Sequence, residues 1–204
     1  SLSASYSEVD LIGDFAPLNV EGQAATVGAG VKQRVWTNAF FDTFLTAGFE
    51  AKNISNSVLD QEAGHDELRI PSVGFEINET DAWGRTYSPH TFHFGLSDFL
   101  GSSKKQDPEA SRAGSGGQFF VYRGALVRYQ RLPWWGATYS LRGSLQLTSD
   151  RLPSSEQFRL GGAFSVRGYQ EGDYLAASRG QLANEIYLPT SFFPVASIGS
   201  ASSC

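Results

Sequence analysis

The segment Ala137-Thr138-Tyr139-Ser140-Leu141-Arg142-Gly143-Ser144-Leu145-Gln146-Leu147-Thr148-Ser149-Asp150 alternates apolar and polar residues with almost no error. Successive side chains of an extended strand point to opposite faces, so Tyr139, Leu141, Gly143, Leu145 and Leu147 form one face and Thr138, Ser140, Arg142, Ser144, Gln146 and Thr148 the other. The strand has one oily side and one wet side. It exceeds the roughly five or six residues usual in soluble proteins and reaches the roughly ten that a tilted strand needs to cross a bilayer. Pro133, Trp134 and Trp135 precede it, at a hairpin from residues 119–132. Paired tryptophans there either cap a soluble core or form an interfacial girdle, and the long alternating strand beside them favours the girdle.

The theme repeats outward from this hairpin. Residues 91–100 set Phe92, Phe94 and Leu96 opposite Thr91, His93, Gly95 and Ser97, and residues 69–78 set Val73, Phe75 and Ile77 opposite Ser72, Gly74, Glu76 and Asn78. Further strands are expected at 2–12, 25–36, 40–53 and 179–188, about eight in all. Residues 37–39, 88–89 and 132–135 read as short turns, and 53–67, 101–118 and 152–174 as long loops sharing one membrane face. The glycine- and serine-rich stretch 101–117 reads as a mobile loop with no domain boundary, and no internal repeat is evident.

Composition bounds the functions. With 22 glycines, 15 phenylalanines, 8 tyrosines and no methionine in 204 residues, the chain is suited to β structure, and its opening in apparent mid-strand points to a processed product or a fragment. No apolar run approaches the roughly 18 residues of a spanning helix. A spanning β-barrel remains open, because only alternate side chains face lipid. A net charge of −5, with no basic cluster beyond Lys104-Lys105, argues against nucleic acid as a partner. Cys204 stands alone and has neither a disulfide partner nor metal-ligand companions.

No catalytic constellation stands out, so the chain does not read as an enzyme, and no cofactor is expected. His90 and His93 lack zinc-protease spacing, Ser165 lies in no nucleophile elbow, and Asp60, Glu62, Asp66 and Glu67 do not fit an EF-hand.

The remaining information lies in Phe158-Arg159-Leu160-Gly161-Gly162-Ala163-Phe164-Ser165-Val166-Arg167-Gly168-Tyr169-Gln170-Glu171-Gly172. Its glycines permit a tight, irregular loop that aims one arginine, and a guanidinium beside Tyr169 suits stacking and a buried carboxylate partner. This stretch, followed by Arg179-Gly180 and Asn184-Glu185, resembles the signature of bacterial outer-membrane polypeptide-transporting barrels, most closely the haemolysin-activator (two-partner secretion) transporters.

The resemblance implies an all-β fold, an antiparallel transmembrane β-barrel of sixteen strands preceded by soluble periplasmic polypeptide-transport-associated domains. Residues 1–204 supply about eight strands and read as one partial barrel domain, not an autonomous pore. It further implies that Val166, Arg167, Gly168 and Tyr169 form a latch at the tip of a loop, 152–174, folded into the lumen, supported by Gly161, Gly162, Glu171, Arg179, Gly180, Asn184 and Glu185. Arg167 is then expected to pair with an aspartate of a Phe-x-Asp motif on the next strand. The atypical tail 190–204 contains no aspartate. The implied role is secretion of a partner exoprotein, such as a haemolysin or adhesin, across the lipid of the bacterial outer membrane. Two alternatives stay open: an assembly insertase of the same superfamily, and a soluble β-sandwich binding module.

Overall fold

The computed structural model describes residues 1–10, 20–59, 61–134, 136–160 and 174–189. The described residues form ten strands in chain order: β1 (Leu2–Asp10), β2 (Val20–Thr37), β3 (Phe41–Val58), β4 (Gln61–Thr80), β5 (Gly84–Gly95), β6 (Phe119–Arg131), β7 (Thr138–Leu147), β8 (Phe158–Leu160), β9 (Tyr174–Ala176) and β10 (Arg179–Tyr187). Eight form one antiparallel sheet in the order β1-β2-β3-β4-β5-β6-β7-β10, and β8 and β9 pair as a small separate hairpin. The described residues contain no α-helix. The expected number of strands and the antiparallel all-β class are therefore present. Among the described residues the second layer of a sandwich is not, since two strands of three residues cannot form one. Among the described residues the large sheet does not close on itself: β1 pairs only with β2, and β10 only with β7.

Period-two alternation gives the sheet its two faces. On the outer face lie Val27 and Val31, then Leu45, Val73, Phe94, Leu126 and Leu145, then Leu182 and Ile186, and all are substantially exposed. On the inner face the register aligns Lys32, Thr46, Gly74 and Thr91, and one row along it Gly48, Ser72 and His93 pass to Val121. An apolar side without protein cover, backing a mostly polar side, is the inverse of a soluble sheet and the pattern of a membrane wall.

The turns 38–40, 81–83 and 132–137 lie at one end, where Thr80 N donates to Phe40 O at 2.8 Å and Arg131 N to Trp83 O at 2.7 Å. Two expected connections are corrected. Residues 88–89 are not a turn: Pro89 lies inside β5, opposite Glu76, and the turn falls at 81–83, where Asp81 Oδ1 accepts the N–H of Trp83 and Gly84. Proline has no N–H, so pairing of β5 with β6 lapses between Tyr87 and His90, and the Ser88 hydroxyl donates to Ala125 O at 2.9 Å instead. Nor is 53–67 a long loop. β3 and β4, 18 and 20 residues long, continue to Val58 and from Gln61 and turn at Leu59, whose φ is 54°. Strands of this length outrun the roughly ten residues a bilayer requires. The excess is polar on its outer side, where Arg69 bonds Asn53 at 2.8 Å, which is why composition alone suggests a loop.

A lysine on the outer face near mid-band, Val73→Lys, should cost about 2–4 kcal/mol of stability in lipid, and Gln181→Lys on the inner face under about 1 kcal/mol. Equal costs, measured by denaturant unfolding of the full-length protein in vesicles, would overturn the assignment of faces. Ser88→Ala, which removes the substitute donor, should cost about 1 kcal/mol in the same assay.

Candidate functional site: an ion-paired clasp on the inner face

Between β7 and β10 the chain leaves the sheet and returns, and the described parts of this excursion, residues 148–160 and 174–178, lie over the inner face. Its outgoing leg enters at Leu152, which is fully buried against Leu68, Ile70, Phe119 and Val121. A single 3-10 turn, Ser154–Glu156, follows, and then the β8–β9 hairpin, with Phe158 opposite Ala176. Residues 161–173 lie between those two strands in the chain.

Glu156 fixes this leg to the wall. Its carboxylate is 1% exposed and accepts from Lys52 Nζ on β3 and from Arg123 on β6, each at 2.8 Å. Those strands stand three apart in the sheet, roughly 14 Å on a flat surface. One carboxyl can serve both because it sits on the hollow side of a curved wall. Gln146, beside Arg123 in the β6–β7 register, completes the arrangement. Its Oε1 accepts from Arg123 Nε at 2.8 Å, which orients the amide. Its Nε2 then donates to Glu156 O and Ala177 O, each at 3.0 Å, so one side chain holds both legs of the excursion. Burial by itself raises the Glu156 carboxyl, but the two cations more than offset it and hold the group below its ordinary value of 4.5.

None of these four residues carries a motif that sequence reading would select. Gln146 and Arg123 look like routine polar members of alternating strands. The one available signal is a charged residue at an inward position, and its partner is fixed only by the fold.

The residues expected at the site divide as follows. Val166, Arg167, Gly168, Tyr169, Gly161, Gly162 and Glu171 lie outside the described residues, as do Trp135 and the tail 190–204. Arg179, Gly180, Asn184 and Glu185 all lie on β10, but the alternation splits them. Arg179 and Glu185 share the inner face, where Glu185 Oε2 lies 3.8 Å from Arg142 and accepts from Tyr187. Gly180 and Asn184 share the outer face, where a Cβ on Gly180 would lie 3.2 Å from Leu145 Cδ1 and Asn184 accepts from Tyr139 at 2.5 Å. Trp134 is 64% exposed at the β6–β7 turn, and Trp36, Phe40 and Trp83 are exposed at the same end. The aromatic cluster is thus wider than the tryptophan pair in the sequence.

His90 and His93 face opposite sides of β5 and cannot share a ligand. His90 stacks on Phe75 with ring centres 4.6 Å apart, and its nitrogens are taken by Ser88 and Tyr122.

Removing one member of a buried ion pair leaves the others uncompensated. Because the Arg123 side chain is 35% exposed, Glu156→Gln should cost about 2–3 kcal/mol, below the full penalty of a dry pair. A depressed carboxyl gives stability that is complete above the unfolded-state value and is lost as pH falls through the lower folded value. Acidification below 4.5 should therefore destabilise the parent more steeply than Glu156→Gln, as read from unfolding midpoints across pH.

The fold as a whole is similar to that of solved structures. CdiB from Escherichia coli superposes with a TM-score of 0.76 at 23% identity, covering 90% of this chain and 34% of that one. CdiB from Acinetobacter baumannii gives 0.69 at 15% identity, covering 91% and 33%. The chain thus spans about a third of the length of these structures, and at such identities the likeness establishes the fold alone. No curated protein matches in sequence. The family model described as haemolysin secretion/activation protein ShlB/FhaC/HecB matches residues 1–200, nearly the whole chain, and the two-faced wall carrying a clasped excursion thereby finds its place: this chain belongs to the ShlB/FhaC/HecB family.

Proposed function

We propose that the parent protein is an outer-membrane pore that secretes a partner exoprotein, such as a haemolysin or adhesin. The observation that carries this reading is the pairing of a bare apolar outer face with a polar inner face onto which the leg from Leu152 to Glu156 is clasped. The outer face meets lipid, with Trp134 in the aromatic girdle at the short-turn end. The inner face lines a wet passage, and the open edges of β1 and β10 pair with the remaining strands of the parent barrel, which lipid requires. Soluble polypeptide-transport-associated domains precede the barrel on the periplasmic side and receive the substrate. Family membership favours secretion over barrel assembly.

An unfolded polypeptide passes such a wall without any chemical step. The protein's task is to present polar groups to the moving chain and to keep the passage shut when it is empty. Glu156, Lys52, Arg123 and Gln146 set where the excursion sits. The latch role of Val166, Arg167, Gly168 and Tyr169, with Gly161, Gly162 and Glu171 shaping the loop, extends from that fixed base.

In the complete parent, Arg167→Ala should cut secretion of the cognate exoprotein at least about tenfold, the factor that roughly 1.4 kcal/mol represents. The barrel should remain inserted and heat-modifiable on gels. Normal secretion by that variant would remove the latch role, and secretion by cells lacking the parent altogether would remove the transport role.

A further inference from the structure

Residues 96–118 connect β5 to β6, and their glycine- and serine-rich part, 101–117, reads from sequence as a mobile loop. The structure corrects that reading, because the loop is docked and partly buried. Along the stretch of β4 that β5 does not reach, Leu96 N donates to Arg69 O at 3.0 Å, Ser103 N to Glu67 O at 2.8 Å, and His65 N to Glu109 O at 2.7 Å. The loop therefore covers an edge that would otherwise be open. Gly116 and Gly117 lie so close to the carbonyl groups of Lys104 and Ser103 that a Cβ would collide at either position.

From that edge the loop turns inward. Ser111 lies over the inner face, where the buried Asp66 carboxylate accepts its N–H at 3.1 Å and its hydroxyl at 2.5 Å. There it meets the outgoing leg of the 148–178 excursion. Ser154 N donates to Ser111 Oγ at 3.2 Å, Arg112 reaches Leu152 O at 3.4 Å, and Arg151 reaches Ala113 O at 3.4 Å. Beneath these contacts, Leu152 closes over Leu68, Ile70 and Val121. The inner face of a passage is expected to be polar and wet. Here, at its long-loop end, it is apolar and dry.

Two features make this closure reversible in kind. Loop and leg meet through a few long or single hydrogen bonds rather than a sheet ladder, whereas each is firmly tied to the wall elsewhere, the loop along β4 and the leg at Glu156. The loop's entry is also held in an unfavourable shape, with Asp98 and Leu100 at φ of 54° and 48°. Arg69 Nε, on the strand that the loop covers, donates to Leu100 O at 3.1 Å.

We propose that the 96–118 loop and the 148–157 leg are the two halves of a gate at the long-loop end of the pore, joined at Ser111–Ser154 and sealed by Leu152 on Leu68, Ile70 and Val121, and that the pore conducts only when they part. The proposal rests on the pore reading given above, and its test separates the two.

In the full-length protein carrying Cys204→Ser, Ser111→Cys and Ser154→Cys are introduced, and the thiols are joined with a short methanethiosulfonate cross-linker that reductant cleaves. Conductance is recorded in planar bilayers of phospholipid, with barrel integrity checked by heat-modifiable gel mobility. The joined form should show at least about tenfold fewer openings than the same sample after reduction. Leu152→Ala, with a heat-modifiable barrel, should open several-fold more often than the parent. Equal opening before and after reduction overturns the gate, as does failure of the thiols to join, since their contact is its premise. Secretion is assayed in parallel. Reduction that restores conductance without any secretion leaves the gate standing and removes the transport role instead.

Discussion

Within lipid a backbone N–H or C=O has no water to turn to, and this constraint organises the wall. Each strand has to find its donors and acceptors in a neighbour, so the sheet is a meander of adjacent antiparallel pairs wherever the connections are short. Departures from the ladder are compensated locally. At Pro89 a serine hydroxyl supplies the donor that the imide ring lacks. Where β5 ends before β4 does, the backbone of the 96–118 loop continues the pairing. The loop thus serves first as a strand substitute, and its inward course over the lumen follows from lying along that edge.

With the backbone committed to the wall, side chains decide what the wall holds. The clasp at Glu156 joins β3 and β6 to the outgoing leg of the excursion through charge-assisted hydrogen bonds, and Gln146 of β7 adds a bond to its backbone. A buried ion pair of this kind adds little net stability over a packed apolar contact, because desolvation consumes most of the Coulombic gain. It discriminates strongly, however, between one placement and others, since displacing the carboxylate leaves two cations facing each other. The neighbouring apolar contact of Leu152 behaves oppositely: it contributes stability but tolerates sliding. Together they fix the base of the excursion.

The same division separates the parts of the excursion in kind. Residues from Leu152 to Phe158 bond to the wall itself, and the β8–β9 hairpin bonds mainly to itself. Its return leg touches the wall at Ala177, through Gln146, and at Ser178, whose hydroxyl exchanges hydrogen bonds with Thr148. The described part of the loop is thus held at its two feet and self-paired at β8 and β9. Such an element can move without dismantling the strands of the wall.

The sequence by itself determined the class of wall and the identity of its two faces. Alternation at 138–147 survives in the structure residue for residue, because the period of a strand is a local property and needs no partner to be read. The signature around Arg167 likewise indicated the family from a contiguous stretch. The sequence did not reveal the strand extensions of β3 and β4, since their polar outer residues mimic a loop, or the strand character around Pro89, since proline mimics a turn. Only the tertiary structure brought Lys52, Arg123, Gln146 and Glu156 together, and only it placed Ser111 against Ser154. Those contacts join residues up to 104 positions apart in the chain. Their pairing is set by strand register and by the curvature of the wall, which no local pattern of residues encodes.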